Sequence, residues 1–207
     1  MSKYTRQLDL INEKELNFPI HVIGAGGIGS WTTLLLAKMG CSNIKVYDDD
    51  VVQEHNIASQ FFKESQLGMK KIEALHDNVL EQTGIEIVPA PQSIEPQIEK
   101  GLIIIAVDSM EVRHQLNELF KDKDCYIIDG RMGGLQLEIY CQPANEYSST
   151  LVAVGQASPD PCTARSICFN CAVIGGLIVN YVRLFAKKKL NNQGITFLFD
   201  DIKLFYE

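Results

Sequence analysis

The sequence is short of the features that mark several large functional classes. Basic residues are few: 19 Lys and Arg stand against 26 Asp and Glu, for a net charge of −7. A broad nucleic-acid surface needs basic stripes to neutralise phosphates, so that class is excluded, while a small local anion site is not. Long apolar runs are missing too. The most hydrophobic stretch, Ala172 to Ala186, is interrupted by Gly175, Gly176, Asn180 and Arg183 and falls short of the roughly 20 residues of a membrane span. The N-terminus is polar from the start, without the apolar core of a signal peptide. No internal repeat or low-complexity linker is present. The four histidines, His21, His55, His76 and His114, form no metal-ligand spacing.

The six cysteines, Cys41, Cys125, Cys141, Cys162, Cys168 and Cys171, do not form the compact framework of a small disulfide-stapled protein. A cytoplasmic protein with reduced thiols is expected. At 207 residues, with 46% hydrophobic and 22% charged residues, the chain suits one domain spanning residues 1–207 around a single sizeable core.

The pattern alternates strand and helix. Ile20 to Ile23 is a short apolar run ending in glycines and reads as a buried strand. A helix is predicted from Ser30 to Met39, stopped by Gly40. Ile44 to Tyr47 reads as a strand before the acidic turn Asp48-Asp49-Asp50. Apolar spacing predicts a helix over Leu67 to Gln82, then a strand over Ile85 to Val88. Leu102 to Val107 is continuous and apolar, as in a central parallel strand. A helix over Met110 to Phe120 and strands over Tyr126 to Ile128 and Leu135 to Tyr140 follow. Pro143 to Cys162 is rich in Ser, Pro, Asn and Asp and reads as a long irregular segment. A long helix from about Ser166 to Lys188 precedes strands at Ile195 to Phe199 and Lys203 to Tyr206. The fold class is therefore α/β: a Rossmann-like, doubly wound, mostly parallel sheet with antiparallel strands toward the C-terminus.

Gly24-Ala25-Gly26-Gly27-Ile28-Gly29 lies directly between a predicted strand and helix. Glycines let backbone approach a phosphate, and the helix start supplies free N–H groups and a positive dipole end. Asp48 ends the next strand, where an acid can accept hydrogen bonds from ribose hydroxyls. The loop alone suits NAD, FAD or ATP. Two further residues favour a polyphosphate with Mg²⁺: Lys71, opening a helix after the acidic turn, and Asp108, ending the central strand at its carboxyl edge. Taken singly, each has a plainer reading, a solvated helix lysine and a helix N-cap.

These elements resemble, in order, those of the ThiF/MoeB/HesA family, the adenylyltransferases similar to ubiquitin-activating enzymes. Tyr4-Thr5-Arg6-Gln7 resembles the family's Tyr-x-Arg-Gln, and Gly24 to Ser30 its glycine loop. Asp48 to Val52 resembles Asp-x-Asp-x-Val, and Asn56 to Gln60 resembles Asn-x-x-Arg-Gln. Gly68 to Ala74 is similar to the segment with the nucleotide-contacting lysine. Asp108 to Asn117 resembles Asp-Asn-x-x-x-Arg-x-x-x-Asn.

The resemblance implies ATP and Mg²⁺ binding and adenylation of the C-terminal glycine carboxylate of a ubiquitin-like or sulfur-carrier protein, with release of pyrophosphate. It assigns ribose to Asp48, and phosphates to Gly24, Gly26, Gly27, Gly29, Asn56, Gln60 and Lys71. Asp50 joins the nucleotide site, Asp108 holds the metal, and Arg6 is supplied in trans by the other subunit of a homodimer. Cys162 is the candidate carrier thiol in the irregular segment, with Arg165 near it. Ser59 departs from the family's arginine. Losing a charge-assisted hydrogen bond worth about 1.5–3 kcal/mol weakens phosphate binding unless Lys63 or Lys70 compensates. Zinc is not favoured, because only Cys168-Phe169-Asn170-Cys171 has the Cys-x-x-Cys form. Trp31 reads as core. With no appended rhodanese or ubiquitin-fold segment, later steps are expected to need separate partners. A non-catalytic scaffold of the same fold and a dinucleotide-dependent oxidoreductase stay open as alternatives.

Overall fold

The computed structural model describes residues 2–90, 98–152, 166–192 and 194–206. Eight strands among them form one sheet in the order β3-β2-β1-β4-β5-β6-β7-β8. The first five are β1 (Ile20–Ile23), β2 (Ile44–Tyr47), β3 (Val88–Ala90), β4 (Lys100–Ile105) and β5 (Asp124–Gly133). Their mutual pairings are parallel. The last three, β6 (Gln136–Pro143), β7 (Ile195–Leu198) and β8 (Lys203–Tyr206), continue the sheet antiparallel. The doubly wound architecture read from the sequence is the one observed.

Burial on both faces explains the apolar strands. Leu102, Ile103, Ile104 and Ile105 of β4 are all fully buried. Leu102 and Ile104 face a core shared with α1 (Gly27–Met39), α3 (Lys71–Thr83) and α5 (Cys168–Ala186). Ile103 and Ile105 face a second core with Leu116 and Phe120 of α4 (Met110–Phe120) and with Tyr147. A strand covered on both sides needs no polar alternation, because neither face meets water.

Several boundaries differ from the sequence expectation for local reasons. The helix begins at Gly27, three residues earlier than predicted, so the glycine loop supplies its first turn. α3 begins at Lys71, four residues later than predicted. Gly68 is left-handed (φ 84°), and Lys70 forms a bridge to Val51, so Leu67–Lys70 is used as a connector. The strand expected at Ile85–Val88 moves to Val88–Ala90, where it pairs with Lys45–Tyr47. β5 and β6 are longer than predicted because they pair as a hairpin over eight residue pairs. The expected irregular segment opens with a 3-10 turn, Ala144–Thr150, which buries Tyr147 completely.

The 19-residue α5 is long and apolar enough by length and composition alone to cross a membrane. In this fold it lies along α1. A methyl group on Gly175 would come within 3.1 Å of the Trp31 Cβ and 3.2 Å of the Thr32 backbone nitrogen. Ile174, Ile178 and Val182 on the same face are fully buried. Trp31 is packed between these helices and Phe61, 5.3 Å between ring centroids, as its core reading expected.

Candidate active site

The strand order reverses between β1 and β4, and α1 and α4 leave that point toward opposite cores. Open α/β sheets bind ligands in the crevice outside the carboxyl ends of such strands. A cleft of about 880 Å³ lies there.

The glycine loop forms its floor. Gly24 adopts φ 99° and donates its N–H to Tyr47 O at 2.8 Å. A Cβ at Gly24 would lie 2.5 Å from Ala106 O, so β1 and the end of β4 leave no room for a side chain. Gly29 is equally constrained: a Cβ there would lie 1.8 Å from Gly24 O. Gly26 is different: a Cβ there would meet only Gln60 Nε2, at 4.0 Å. Protein packing does not demand glycine at this position. The space it leaves open is the cleft, as expected of a cradle that a ligand fills.

Asp48 closes the loop from β2. Its Oδ2 accepts the Ala25 N–H at 2.7 Å, and its Oδ1 accepts the Asp50 N–H at 2.9 Å. The segment after the acidic turn is clamped over α1 by two bonds. Phe61 N donates to Ser30 Oγ at 3.0 Å, and Trp31 Nε1 donates to Ser59 O at 2.9 Å. These bonds bring Asn56, Ser59 and Gln60 to the cleft wall. Asn56 is buried and caps α2 (Glu54–Ile57) by accepting the Gln53 N–H at 2.9 Å. The buried Oε1 of Gln60 has no hydrogen-bond partner among the described residues.

Lys71, the first residue of α3, is buried and donates to Asp50 Oδ2 at 2.7 Å. Asp108 lies between β4 and α4 and lines the same cleft. It makes no hydrogen bond among the described residues. It is not the helix cap: Ser109 takes that place, accepting the Val112 N–H. The cleft therefore unites Gly24, Gly26, Gly27, Asp48, Asp50, Asn56, Gln60, Lys71 and Asp108. Gly29 packs just beneath.

Arg6 is elsewhere. It is exposed in the 3-10 turn Thr5–Gln7. Gln7 Nε2 donates to Met39 O at 2.6 Å, and Tyr4 packs on Gly40, at the far end of α1 from the glycine loop. Thirteen helical residues put about 18 Å between the two ends. Cys162 and Arg165 lie outside the described residues. Lys63 and Lys70, the two cations that could compensate for Ser59, have other partners in this structure: Lys63 pairs with Glu81 and Lys70 bonds Asp49 O. Ser59 itself is buried, its hydroxyl accepting from Ser166 Oγ at 3.2 Å. Cys41, Cys125 and Cys141 are buried, and burial pushes the Cys41 thiol up to about 12. Three cysteines do not come together among the described residues. The acids Asp48, Asp49 and Asp50 are the one group there whose atoms approach closely enough to share an ion.

Sequence reading passed over a buried charge network behind the cleft. Asp129 is fully buried at the end of the apolar part of β5. It accepts from Arg113 Nε at 3.1 and 3.2 Å, from Arg131 Nε at 2.7 Å and from Tyr147 OH at 2.9 Å. Arg113 also donates to Gly130 O at 3.2 Å and lines the cleft. Burial, then the nearby Asp129 charge, raises the Tyr147 pKa well above its ordinary value, so the phenol stays a donor. Two guanidinium groups on one carboxylate leave an excess positive charge at the cleft. The available signal was positional: like Asp48 and Asp108, Asp129 follows an apolar strand at the carboxyl edge.

A glycine loop, a strand-end acid and a lysine thus meet in one cleft at the switch point of an open α/β sheet. The ThiF family pattern matches residues 4–204, and the chain belongs to that family. It is 35% identical over 105 residues to the NEDD8-activating enzyme E1 catalytic subunit of Arabidopsis thaliana, covering 47% of this chain and 23% of that protein. It is 25% identical over 166 residues to adenylyltransferase and sulfurtransferase MOCS3-1 of Zea mays, covering 75% and 35%. The chain thus spans about a quarter to a third of the length of these relatives. Among solved structures, E. coli MccB with ATP superposes with a TM-score of 0.80 at 16% identity, covering 100% of this chain and 70% of that one. PaaA gives 0.77 at 16% identity, covering 94% and 65%.

The Asp129 network predicts a large effect from a small change. Asp129→Asn keeps the volume but leaves two buried guanidinium groups without a counter-charge. Unfolding in urea should report a loss of about 3–5 kcal/mol. A loss under about 1 kcal/mol would mean that hydrogen bonding, not charge, holds these residues.

Proposed function

We propose that this chain is an adenylating enzyme: it binds ATP in the β1/β4 cleft and activates the C-terminal carboxylate of a ubiquitin-like or sulfur-carrier protein. The observation that carries this reading is the convergence of Gly26, Asp48, Lys71 and Asp108, from four separate segments, on one cleft. A dehydrogenase needs the first two of these and has no use for the last two. Family membership supports the same chemistry.

The carboxylate is already a nucleophile, so no general base is required. The C-terminal oxygen attacks the α-phosphorus, the bond to the bridging oxygen of pyrophosphate breaks, and the acyl adenylate forms. Catalysis then consists of alignment and charge neutralisation. In this reading, N–H groups of the loop and of the first turn of α1 hold phosphate oxygens. Asp48 keeps lone pairs for the ribose hydroxyls after its two loop bonds. Asn56, Gln60 and Lys71 donate to the polyphosphate, with Lys71 exchanging or sharing Asp50. The excess charge of Arg113 takes a share of what Ser59 cannot supply.

Asp48, Asp49, Asp50 and Asp108 give the cleft four carboxylates against the two cations Lys71 and Arg113. That balance repels a bare polyphosphate and fits one carried with Mg²⁺. Asp108, free of protein partners among the described residues, is the residue that would hold the ion, which supplies charge neutralisation when bound.

Arg6 is too far from the glycine loop of its own chain, so it would act on a second copy's cleft in a two-fold dimer. Cys162 would take the activated acyl group in a later step. Ser59, small and buried where the family has arginine, favours a second reading, a scaffold that binds nucleotide without turnover.

Pyrophosphate–ATP exchange in the presence of the small protein that co-purifies with the chain separates the two. Adenylation predicts exchange, reduced by at least about 100-fold in Lys71→Ala and in Asp108→Ala with unchanged melting temperature. Nucleotide binding without any exchange would establish the scaffold reading. A second test addresses Arg6. Mixing Arg6→Ala with Lys71→Ala chains should restore part of the activity, because one hybrid cleft keeps both groups. No rescue in verified heterodimers would remove Arg6 from the site.

A further inference from the structure

The pair Cys168 and Cys171 is left unused by the chemistry above. Cys168 is the first residue of α5 and is exposed; Cys171 is one turn further on and fully buried. Two thiols are too few for a closed zinc site, which takes three or four. They are, however, placed as a dithiol at a helix start. Burial raises the Cys171 thiol to about 11, with a smaller contribution from Cys168, so Cys171 waits as a protonated thiol.

The residues between them fix this turn. Asn170 is fully buried; its Oδ1 accepts the Ile167 N–H at 3.1 Å and its Nδ2 donates to Gly134 O at 2.6 Å. Phe169 stacks edge-on against Phe199, 5.1 Å between centroids. The first turn of α5 is thereby pinned to the β5–β6 hairpin and the end of β7, with one sulfur outside and one inside.

The inner sulfur touches the cleft machinery. A methyl group on Gly27, in the glycine loop, would come within 3.0 Å of Cys171 Sγ. Two residues before the helix, Ser166 donates to Ser59 Oγ in the cleft wall at 3.2 Å. Ser59 O in turn holds Trp31.

We propose that Cys168 and Cys171 form a reversible dithiol–disulfide pair, a modification site whose oxidation is transmitted to the glycine loop through the seat of Cys171 against Gly27. The co-reactant is a low-molecular-weight disulfide. The Cys168 thiolate attacks one of its sulfurs, forming a mixed disulfide and releasing one thiolate. Cys171 then attacks the Cys168 sulfur. Its proton passes to the released thiolate, and the second small thiolate departs and takes its proton from solvent. Two protein thiols are oxidised and one external disulfide is reduced to two thiols. A small dithiol reverses both steps.

The coupling follows from distance. On a helix, residues three apart have Cβ atoms about 5–6 Å apart. A disulfide wants about 3.5–4.5 Å. Closing that gap pulls Cys171 toward solvent, or tightens the first turn, and either change withdraws the sulfur from beneath Gly27. The effect on ATP rests on the nucleotide reading of the cleft, whereas the disulfide and its effect on the loop do not.

Oxidised glutathione is the probe, and Trp31, the single tryptophan, is an internal reporter of the α1–α5 contact. The wild type should lose two hydrogens in mass, yield a Cys168–Cys171 cross-linked peptide and change its Trp31 emission. Dithiothreitol should reverse all three. Cys168→Ser, an exposed and structurally mild change, should show none of them. ATP affinity should fall several-fold in the oxidised wild type only. A wild type that keeps a stable glutathione adduct without cross-linking overturns the pair. A cross-link with unchanged Trp31 emission overturns the transmission. If emission responds but ATP binds neither form, the nucleotide reading fails and the dithiol inference stands.

Discussion

The bond from the Ala25 N–H to Asp48 Oδ2, at 2.7 Å, is the contact on which the cleft depends. It joins the turn after β1 to the end of β2, so two strand ends become one rim. Among the described residues, no other side chain bonds the backbone of this loop from β2; its remaining ties to that strand and to β4 include the Gly24 N–H to Tyr47 O bond and the close packing of Gly24 on Ala106. The other oxygen of the same carboxylate shapes the acidic turn by accepting the Asp50 N–H at 2.9 Å. Lys71 is placed in turn by Asp50, through its side chain and through the Lys71 N–H to Asp50 O bond at 3.0 Å. A single buried carboxylate thus sets the loop, the turn and the lysine.

Charge is arranged in two layers around that rim. The outer layer is acidic, with Asp49, Asp50 and Asp108 open to the cleft. The inner layer is the Arg113–Asp129–Arg131 cluster, which carries one positive charge in excess and is buried against Tyr147. In the proposed reading, a polyphosphate carried with its cation would meet the first layer through the metal and the second through Arg113. This division gives Ser59 a physical context: the arginine missing from the wall is set against a guanidinium at the floor. The cluster also links the cleft to the segment after β6, because Arg131 donates to Thr150 O at 2.9 Å.

Much of this was legible in the sequence because the signals are local. The run Leu102 to Val107 could only be a strand covered on both faces. Gly24 to Gly29 read as a glycine loop between a strand and a helix, and Asp48 and Asp108 sit where strand ends gather. What stayed hidden depends on contacts between distant segments. The helix start at Gly27 follows from loop packing rather than helix propensity. Leu67–Lys70 fits a helical face but is used for the Val51 bridge. Arg113 read as one letter of a motif, since nothing local shows that it meets Asp129, 16 residues away, inside the protein. The seat of Cys171 under Gly27 links positions 144 residues apart, beyond any periodicity.

The central claim is that a carboxylate oxygen of a small protein becomes bonded to the α-phosphorus of ATP in this cleft. Labelling that C-terminal carboxylate with a heavy oxygen isotope and cleaving the product with hydroxylamine tests it directly, because attack at the carbonyl leaves the bridging oxygen on phosphorus. The account predicts AMP carrying one labelled oxygen, formed together with pyrophosphate. Unlabelled AMP, or ADP and phosphate in place of AMP, would contradict it.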